Sequence, residues 1–227
     1  MRTRIFFAFP LLAAIGFGQT DYRAALASAK QTDGQREAQQ RASEIIGALE
    51  LKSGDRAADI GAGAGYYTAR LSSLVRPGGR VYAVEIREQS LEVLGVRVAQ
   101  DGLGNVVVTR GAADNPHLEE GALDAVLIVD AYHEMPQYKA MLEQIRRALK
   151  PAAGWRSRTT AIGRSATTRE SQVMKHLFSP DLAKEEVRQA GFDVKRLEDP
   201  LLERKPETGT TRIAMGDLWL LVAVRRQ

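Results

Sequence analysis

The spacing of apolar and polar residues changes twice along the chain. Residues 1–20, MRTRIFFAFPLLAAIGFGQT, place Arg2 and Arg4 ahead of a 13-residue apolar run from Ile5 to Phe17. Residues 21–50 are polar and helix-friendly, with one short apolar stripe of Ile45, Ile46 and Leu49. From Leu51 onward, short apolar runs alternate with glycine turns and with segments whose apolar residues recur at helical spacing. This pattern predicts strands over Arg56–Ile60, Arg80–Val84 and Asn105–Thr109, with helices over Tyr66–Val75 and Glu88–Gln100. Leu123–Val129 is a continuous apolar run, the mark of a strand covered on both faces. Pro136 stands at the start of a helix reaching Leu149, as a first-turn proline does. Farther on, the Ser179-Pro180-Asp181 stretch opens a helix through Gln189, Phe192–Leu197 reads as a strand, and Trp219–Val224 as a last one.

Strands alternating with helices at this spacing imply an α/β domain, a doubly wound and mostly parallel sheet with helices on both sides. The C-terminal strand is expected as its antiparallel edge. The chain divides into residues 1–18, a helical lead over 19–50, and one domain over 51–227 on which the apolar stripe of the lead packs. Thirteen residues rise only about 20 Å as a helix, short of the roughly 30 Å hydrocarbon core. With Gly16-Phe17-Gly18 behind it, the first segment reads as a secretory signal cleaved near Gly18, so the expectation is an exported protein with no stable membrane span.

Composition narrows the chemistry. The chain has no Cys, which removes disulfides, thiolate metal sites and cysteine nucleophiles. Its three histidines (His117, His133, His176) are too dispersed for a zinc site, so no metal is expected. The formal charge of +4 invites a nucleic-acid partner until it is located. Arg2 and Arg4 carry +2 of it; Arg156, Arg158, Arg164 and Arg169 against Glu170 carry +3; the rest of the chain is at −1. No nucleic-acid partner is therefore expected.

The sharpest signal is Asp59-Ile60-Gly61-Ala62-Gly63-Ala64-Gly65-Tyr66, directly after the first strand and opening a helix. Such a turn lies at the carboxyl edge of a parallel sheet, where ligands bind. The dinucleotide fingerprint G-x-G-x-x-G fails in both registers, with Tyr66 or Thr68 in the sixth position, and no Lys-Ser/Thr pair completes a phosphate loop. An acidic residue, a spacer and three alternating glycines remain. Twenty-six residues after Asp59, Glu85 ends the second strand and Ile86 comes next. Asp114 stands after the third strand in Gly111-Ala-Ala-Asp-Asn115, and Asp130-Ala-Tyr132-His133-Glu134 after the fourth.

Taken in order from Asp59 to about Leu149, these landmarks resemble the class I S-adenosylmethionine-dependent methyltransferases, whose sheet is Rossmann-like. The resemblance implies S-adenosyl-L-methionine as cofactor, bound by Asp59, Gly61, Ala62, Gly63, Gly65, Tyr66, Glu85, Ile86, Asp114 and Asp130. In that scheme Asp59 serves the ammonium side, Glu85 the ribose hydroxyls, Ile86 the adenine flank and Asp114 the adenine edge. The implied activity is methyl transfer to a small molecule or an exposed oxygen or nitrogen nucleophile. His133 is the candidate base, with Tyr132 beside it, although the pair equally suits a cap on the loop before Pro136. The Asn/Asp-Pro-Pro-aromatic motif of relatives that methylate adenine or glutamine is absent after Val129. The alternative is a catalytically inactive protein of the same fold that binds S-adenosylmethionine or a nucleoside. Export sits uneasily with a cofactor made in the cytoplasm.

One stretch departs from the family. After Lys150-Pro151 a glycine turn and a fifth apolar strand are expected, yet residues 152–169 hold four arginines, with Trp155 and Ile162 as the only large apolar residues. Each unpaired arginine in a buried strand would cost several kcal/mol. Two explanations stay open. One is a polar loop that leaves the sheet a strand short. The other is a frame error: Gly154-Trp-Arg-Ser157 implies codons whose neighbouring frame reads NTG-GCG-NTC, an aliphatic strand.

Overall fold

The computed structural model describes residues 21–160, 178–202 and 218–226, with residues 152–160 and 202 described by their backbone alone. The segment read as a secretory signal, and residues 161–169 of the arginine-rich stretch, lie outside the described residues. Two helices lead, α1 (Tyr22–Gln40) and α2 (Ala42–Gly47). Next come β1 (Arg56–Ile60), α3 (Tyr66–Leu74), β2 (Arg80–Glu85), α4 (Glu88–Gln100), β3 (Val106–Arg110) and β4 (Leu123–Val129). A 3₁₀ turn at Tyr132–Glu134 precedes α5 (Tyr138–Ala148), β5 (Leu149–Thr160), α6 (Pro180–Gln189), β6 (Phe192–Leu202) and β7 (Leu218–Arg225). Among the described residues no helix is long and apolar enough to cross a membrane.

The seven strands form one sheet in the order β3-β2-β1-β4-β5-β7-β6. β1 to β5 run parallel, and β7 is antiparallel to both of its neighbours. The C-terminal strand thus lies one place in from the edge rather than at it, because β6 pairs along its outer side. An apolar run reports burial on both faces but not which strands flank it.

Alternation along the central strands builds two cores. Val126 and Ile128 of β4 join Leu142 and Ile145 of α5 and Val187 of α6 on one face. Ala125, Leu127 and Val129 join Ile45 of α2 and Leu71 of α3 on the other. The period of two residues in a strand divides one apolar run between both layers. The stripe Ile45, Ile46 and Leu49 packs into the second core, at the end of the lead.

The sheet has its topological switch between β1 and β4: the chain moves outward from β1 to β3, then returns to the other side of β1. The carboxyl ends of β1 and β4 therefore stand side by side, with their loops diverging into a crevice.

β5 corrects the loop explanation of the arginine-rich stretch, since up to Thr160 the backbone is strand. Arg156 stands in register between Leu127 and Val222, and Arg158 between Val129 and Leu220. The physical cause is the backbone ladder. β4 and β7 each present a row of N–H and C=O groups inside the sheet, and an unpaired row there would be costly. A bulge between Leu123 and Ala125 takes up the offset where β5 begins.

Candidate active site

The glycine turn begins where β1 ends. Gly61 has φ +77°, and a Cβ on it would lie 2.4 Å from the Cβ of Ala131, so only glycine lets the turn press against the loop after β4. The Gly61 and Ala62 N–H groups donate to the Val84 carbonyl at 2.9 and 3.0 Å, tying the turn to β2. Around Gly63, by contrast, a Cβ would meet nothing within 4 Å: its missing side chain leaves open space. Gly65 abuts Leu94 and Arg97 of α4.

Two cavities flank this turn and share Gly61 and Asp130. One, of about 170 Å³, is mostly apolar and lies between Ile60, Val84, Glu85 and Ile86 on one side and Ala131 and Met135 on the other. The second, of about 260 Å³, lies between α1 and the turn, with Arg36, Gln40, Asp59, Tyr66 and Tyr67 on its wall. Gly65 lines neither.

Glu85 is 4% exposed and already engaged. Its Oε1 accepts from the Ile86 and Arg87 N–H groups at 2.8 and 3.0 Å, and its Oε2 accepts from Gly63 N–H at 3.1 Å. Of roughly four lone-pair directions on a carboxylate, one on Oε2 stays open toward a ligand. Ile86 is 53% exposed at the mouth of the smaller cavity, an apolar surface suited to a flat ring.

Asp59 is 2% exposed, and its Oδ2 accepts the Thr68 hydroxyl at 2.6 Å. Burial pushes its carboxyl up to about 6, against the hydrogen bonds from the Thr68 hydroxyl and backbone that draw it down. Asp130 carries φ +51°, a left-handed backbone that Asp tolerates better than most residues. Its Oδ2 accepts from Gln40 Nε2 at 2.9 Å, and Gln40 Oε1 in turn accepts the Tyr67 hydroxyl at 2.9 Å. Asp130 Oδ1 and the Tyr66 hydroxyl are buried with no hydrogen-bond partner. The rings of Tyr66 and Tyr67 meet edge to face at 4.9 Å.

The sequence-derived residues thus separate into groups. Asp59, Ala62, Gly63 and Tyr66 line the larger cavity, Glu85 and Ile86 the smaller, and Gly61 and Asp130 both. Asp114 is exposed and lines neither, while its neighbours Ala112 and Ala113 do. Tyr132 is fully buried, donates its hydroxyl to Glu186 at 2.7 Å and packs edge-on against Phe178. His133 is 6% exposed and also lines neither cavity. Sequence reasoning passed over Arg36 and Gln40 of α1. On a helix with so few apolar residues, an inward polar face looks like a solvated one.

Residues 57–152 match a family model described as a methyltransferase domain. Those residues, from β1 into β5, resemble a methyltransferase domain. A demethylmenaquinone methyltransferase of Staphylococcus saprophyticus is 34% identical over 107 residues, covering 47% of this chain and 45% of the relative. A protein-L-isoaspartate O-methyltransferase of Ignicoccus hospitalis is 29% identical, over 45% and 47%. The chain spans about half the length of the curated relatives it matches. Among solved structures, an S-adenosylmethionine-dependent methyltransferase from Aquifex aeolicus covers 91% of this chain and 99% of its own at TM-score 0.70 and 21% identity. The [4+2]-cyclase SpnF shares the fold at TM-score 0.71 and 15% identity, over 85% and 83%.

The Aquifex aeolicus methyltransferase depends on S-adenosylmethionine, and the site of the present chain has groups that suit that molecule. The space left by Gly63 admits a ligand against the backbone, Ile86 offers an apolar flank, and buried polar atoms wait in the larger cavity.

Proposed function

We propose that the protein is an S-adenosylmethionine-dependent methyltransferase acting on a small molecule or an exposed oxygen or nitrogen nucleophile. The observation that carries this is the meeting of the Gly61–Gly65 turn with Asp130 at the switch between β1 and β4, within a methyltransferase domain. S-adenosylmethionine would supply an electrophilic methyl group, transferred to an acceptor lone pair in line with the breaking carbon–sulfur bond, with the neutral thioether as leaving group. The work left to the chain is positioning, the larger part of such catalysis. Glu85, through its open Oε2 direction, and Ile86 suit the nucleoside. Asp59 and the tyrosines of α3 close the other side and keep water out. Where an acceptor must lose a proton, the carboxylates lining the smaller cavity, Asp130 and Glu134, are better placed than the buried His133 and Tyr132. The relatives named for menaquinone and protein substrates leave the acceptor class open.

Titration calorimetry with S-adenosylmethionine against NAD tests the cofactor, and methyl transfer from labelled cofactor in an acceptor screen tests the activity. Tight binding of NAD with none of S-adenosylmethionine would sink the proposal. A second reading, cofactor binding without methyl transfer, is favoured by the polar residues of β5 in the middle of an apolar sheet, and by a [4+2]-cyclase of the same fold. Cofactor binding with no turnover across the screen would favour it. Export belongs to the proposal as well: a mature N-terminus at or near Gln19 supports it, and an intact Met1 on the soluble protein counts against it.

A further inference from the structure

The strand order β3-β2-β1-β4 gives the smaller cavity two walls. Residues that follow β2 and β3, among them Glu85 and Ile86, stand on one side of Gly61, and the loop after β4, from Asp130 to Pro136, stands on the other. Among the described residues that line the cavity, no side chain is a hydroxyl, an amide or an imidazole. Every polar one is charged: Glu85, Arg87, Asp130 and Glu134. Glu85 already accepts three backbone N–H groups. Arg87, the one cation of this lining, has its Nε 3.6 Å from Glu85 Oε1, on the wall away from β4. The wall after β4 therefore offers carboxylates and no cation.

Glu134 is half-exposed, and among the described residues its one ion-pair neighbour is His133, whose Nε2 lies 3.8 Å from Oε1, beyond hydrogen-bond reach. At the strand end of the same wall, Asp130 Oδ1 is buried with no hydrogen-bond partner. Ala131 and Met135 of the loop and Met141 of α5 make the rest of this wall apolar, and methionine adapts its shape to what it meets. A molecule laid here finds acceptors without side-chain donors, so it must bring its own N–H or O–H groups. A carboxylate or phosphate would meet the repulsion of Glu134, with only Arg87 opposite to hold it. A neutral hydroxyl would donate one hydrogen bond and leave the charge of Glu134 unbalanced. An ammonium brings both the donors and the charge.

We infer that the methyl acceptor is an amine on an apolar body, its nitrogen held by Glu134 and its body laid against Ala131, Met135 and Met141. This rests on the proposed function and names the class of acceptor for it. An ammonium has no lone pair, so the bound acceptor first gives one proton to water at the mouth of the cavity. Its remaining N–H groups keep the nitrogen on Glu134, and the freed lone pair takes the methyl group by the displacement already described.

Calorimetry on the full chain loaded with S-adenosylhomocysteine tests this with four probes. 2-Phenylethylamine, 2-phenylethanol and phenylacetate share a ring and differ in charge, and ethylamine has the nitrogen without the ring. At pH 7.5 phenylethylamine should bind about fivefold more tightly than phenylethanol, the upper range for a partly exposed ion pair, and more tightly still than phenylacetate. Ethylamine should bind about tenfold or more weakly than phenylethylamine, since it leaves the apolar wall uncovered. Glu134→Gln should bring phenylethylamine to within about twofold of phenylethanol and leave the affinity for S-adenosylhomocysteine unchanged. Glu92→Gln, the same change of charge at an exposed position on α4 that does not line the cavity, should alter none of these values. With labelled S-adenosylmethionine, methyl uptake across the acceptor screen should fall on amines. The inference is overturned by equal binding of phenylethylamine and phenylethanol, by preference for phenylacetate, by no binding of phenylethylamine, or by an amine preference that survives Glu134→Gln. Methyl uptake by alcohols or acids alone overturns it while the proposed function stands. If Glu134→Gln does not fold, the order of the probes on the unsubstituted protein decides. Failure of the unsubstituted protein to bind S-adenosylhomocysteine at all overturns both.

Discussion

Helices α5 and α1 both cover the domain, in opposite ways. α5 turns Met141, Leu142, Ile145 and Ala148 inward and buries them against β4 and its neighbours. α1 turns Asp33, Arg36 and Gln40 inward and is held by Arg97 and by Lys30–Asp101. Full burial of each large apolar side chain of α5 contributes about 1.5–3 kcal/mol. An ion pair that solvent can reach contributes far less, with a median of about 0–1 kcal/mol. The difference teaches that two helices of similar standing in the chain serve different ends. One stabilises the fold by apolar burial, and the other brings polar groups to the wall of the larger cavity.

The contrast can be broken most forcefully at α5. Ile145→Ala should cost about 2–5 kcal/mol in chemical denaturation, with the affinity of the folded protein for S-adenosylhomocysteine unchanged. A loss below about 1 kcal/mol would show that α5 is not the structural member of the pair. Gly61→Ala comes next. The contact with Ala131 and the positive φ should together cost about 1–3 kcal/mol, and here calorimetry should also show weakened cofactor binding, since the turn has to move.

Asp59→Asn should act with the opposite sign. Because the carboxyl is raised to about 6 in the folded chain, the folded state holds a proton that the unfolded chain has released between about pH 4 and 6. Ionised Asp59 therefore destabilises the unliganded protein, fully above pH 6 and not at all below about pH 4. The substitution should raise Tm at pH 7.5, by an amount corresponding to about 1–3 kcal/mol, and leave it unchanged near pH 3.5. A Tm gain independent of pH would refute the assignment. Smallest is the effect of Arg36→Gln on stability, expected within about 1 kcal/mol, since its buried Nε has no hydrogen bond to lose and its guanidinium only faces the Tyr66 ring. A large drop in Tm would place α1 with α5 as a structural helix.

Much of this architecture could be read from residue order. α4 over Glu88–Gln100 and β4 over Leu123–Val129 have the ends that their apolar spacing implies, because periodicity and burial agree there. The glycine turn was legible because its requirement lies in the backbone, and glycine declares it. The direction of the chain after β4 was not. The left-handed backbone of Asp130 and the 3₁₀ turn behind it carry Tyr132 into the core beside Phe178, although in sequence it directly follows Ala131 of the cavity wall. β5 was hidden for a different reason: the ladder from β4 and β7 sets its backbone, whereas the residue pattern of 152–160 speaks of a loop. The inward face of α1 was hidden because residue type alone does not tell a polar side turned to open water from one that walls a cavity.

β5 and β7 also carry an optical consequence. The chain has two tryptophans, Trp155 and Trp219, and they stand on these adjacent strands. Trp219 is fully buried, with its indole N–H donated to the Phe178 carbonyl at 2.9 Å. Intrinsic fluorescence therefore watches the C-terminal half of the sheet, while the half that carries the glycine turn has tyrosines alone. Emission that shifts red before the far-ultraviolet dichroism collapses would mean that the arginine-bearing seam opens first.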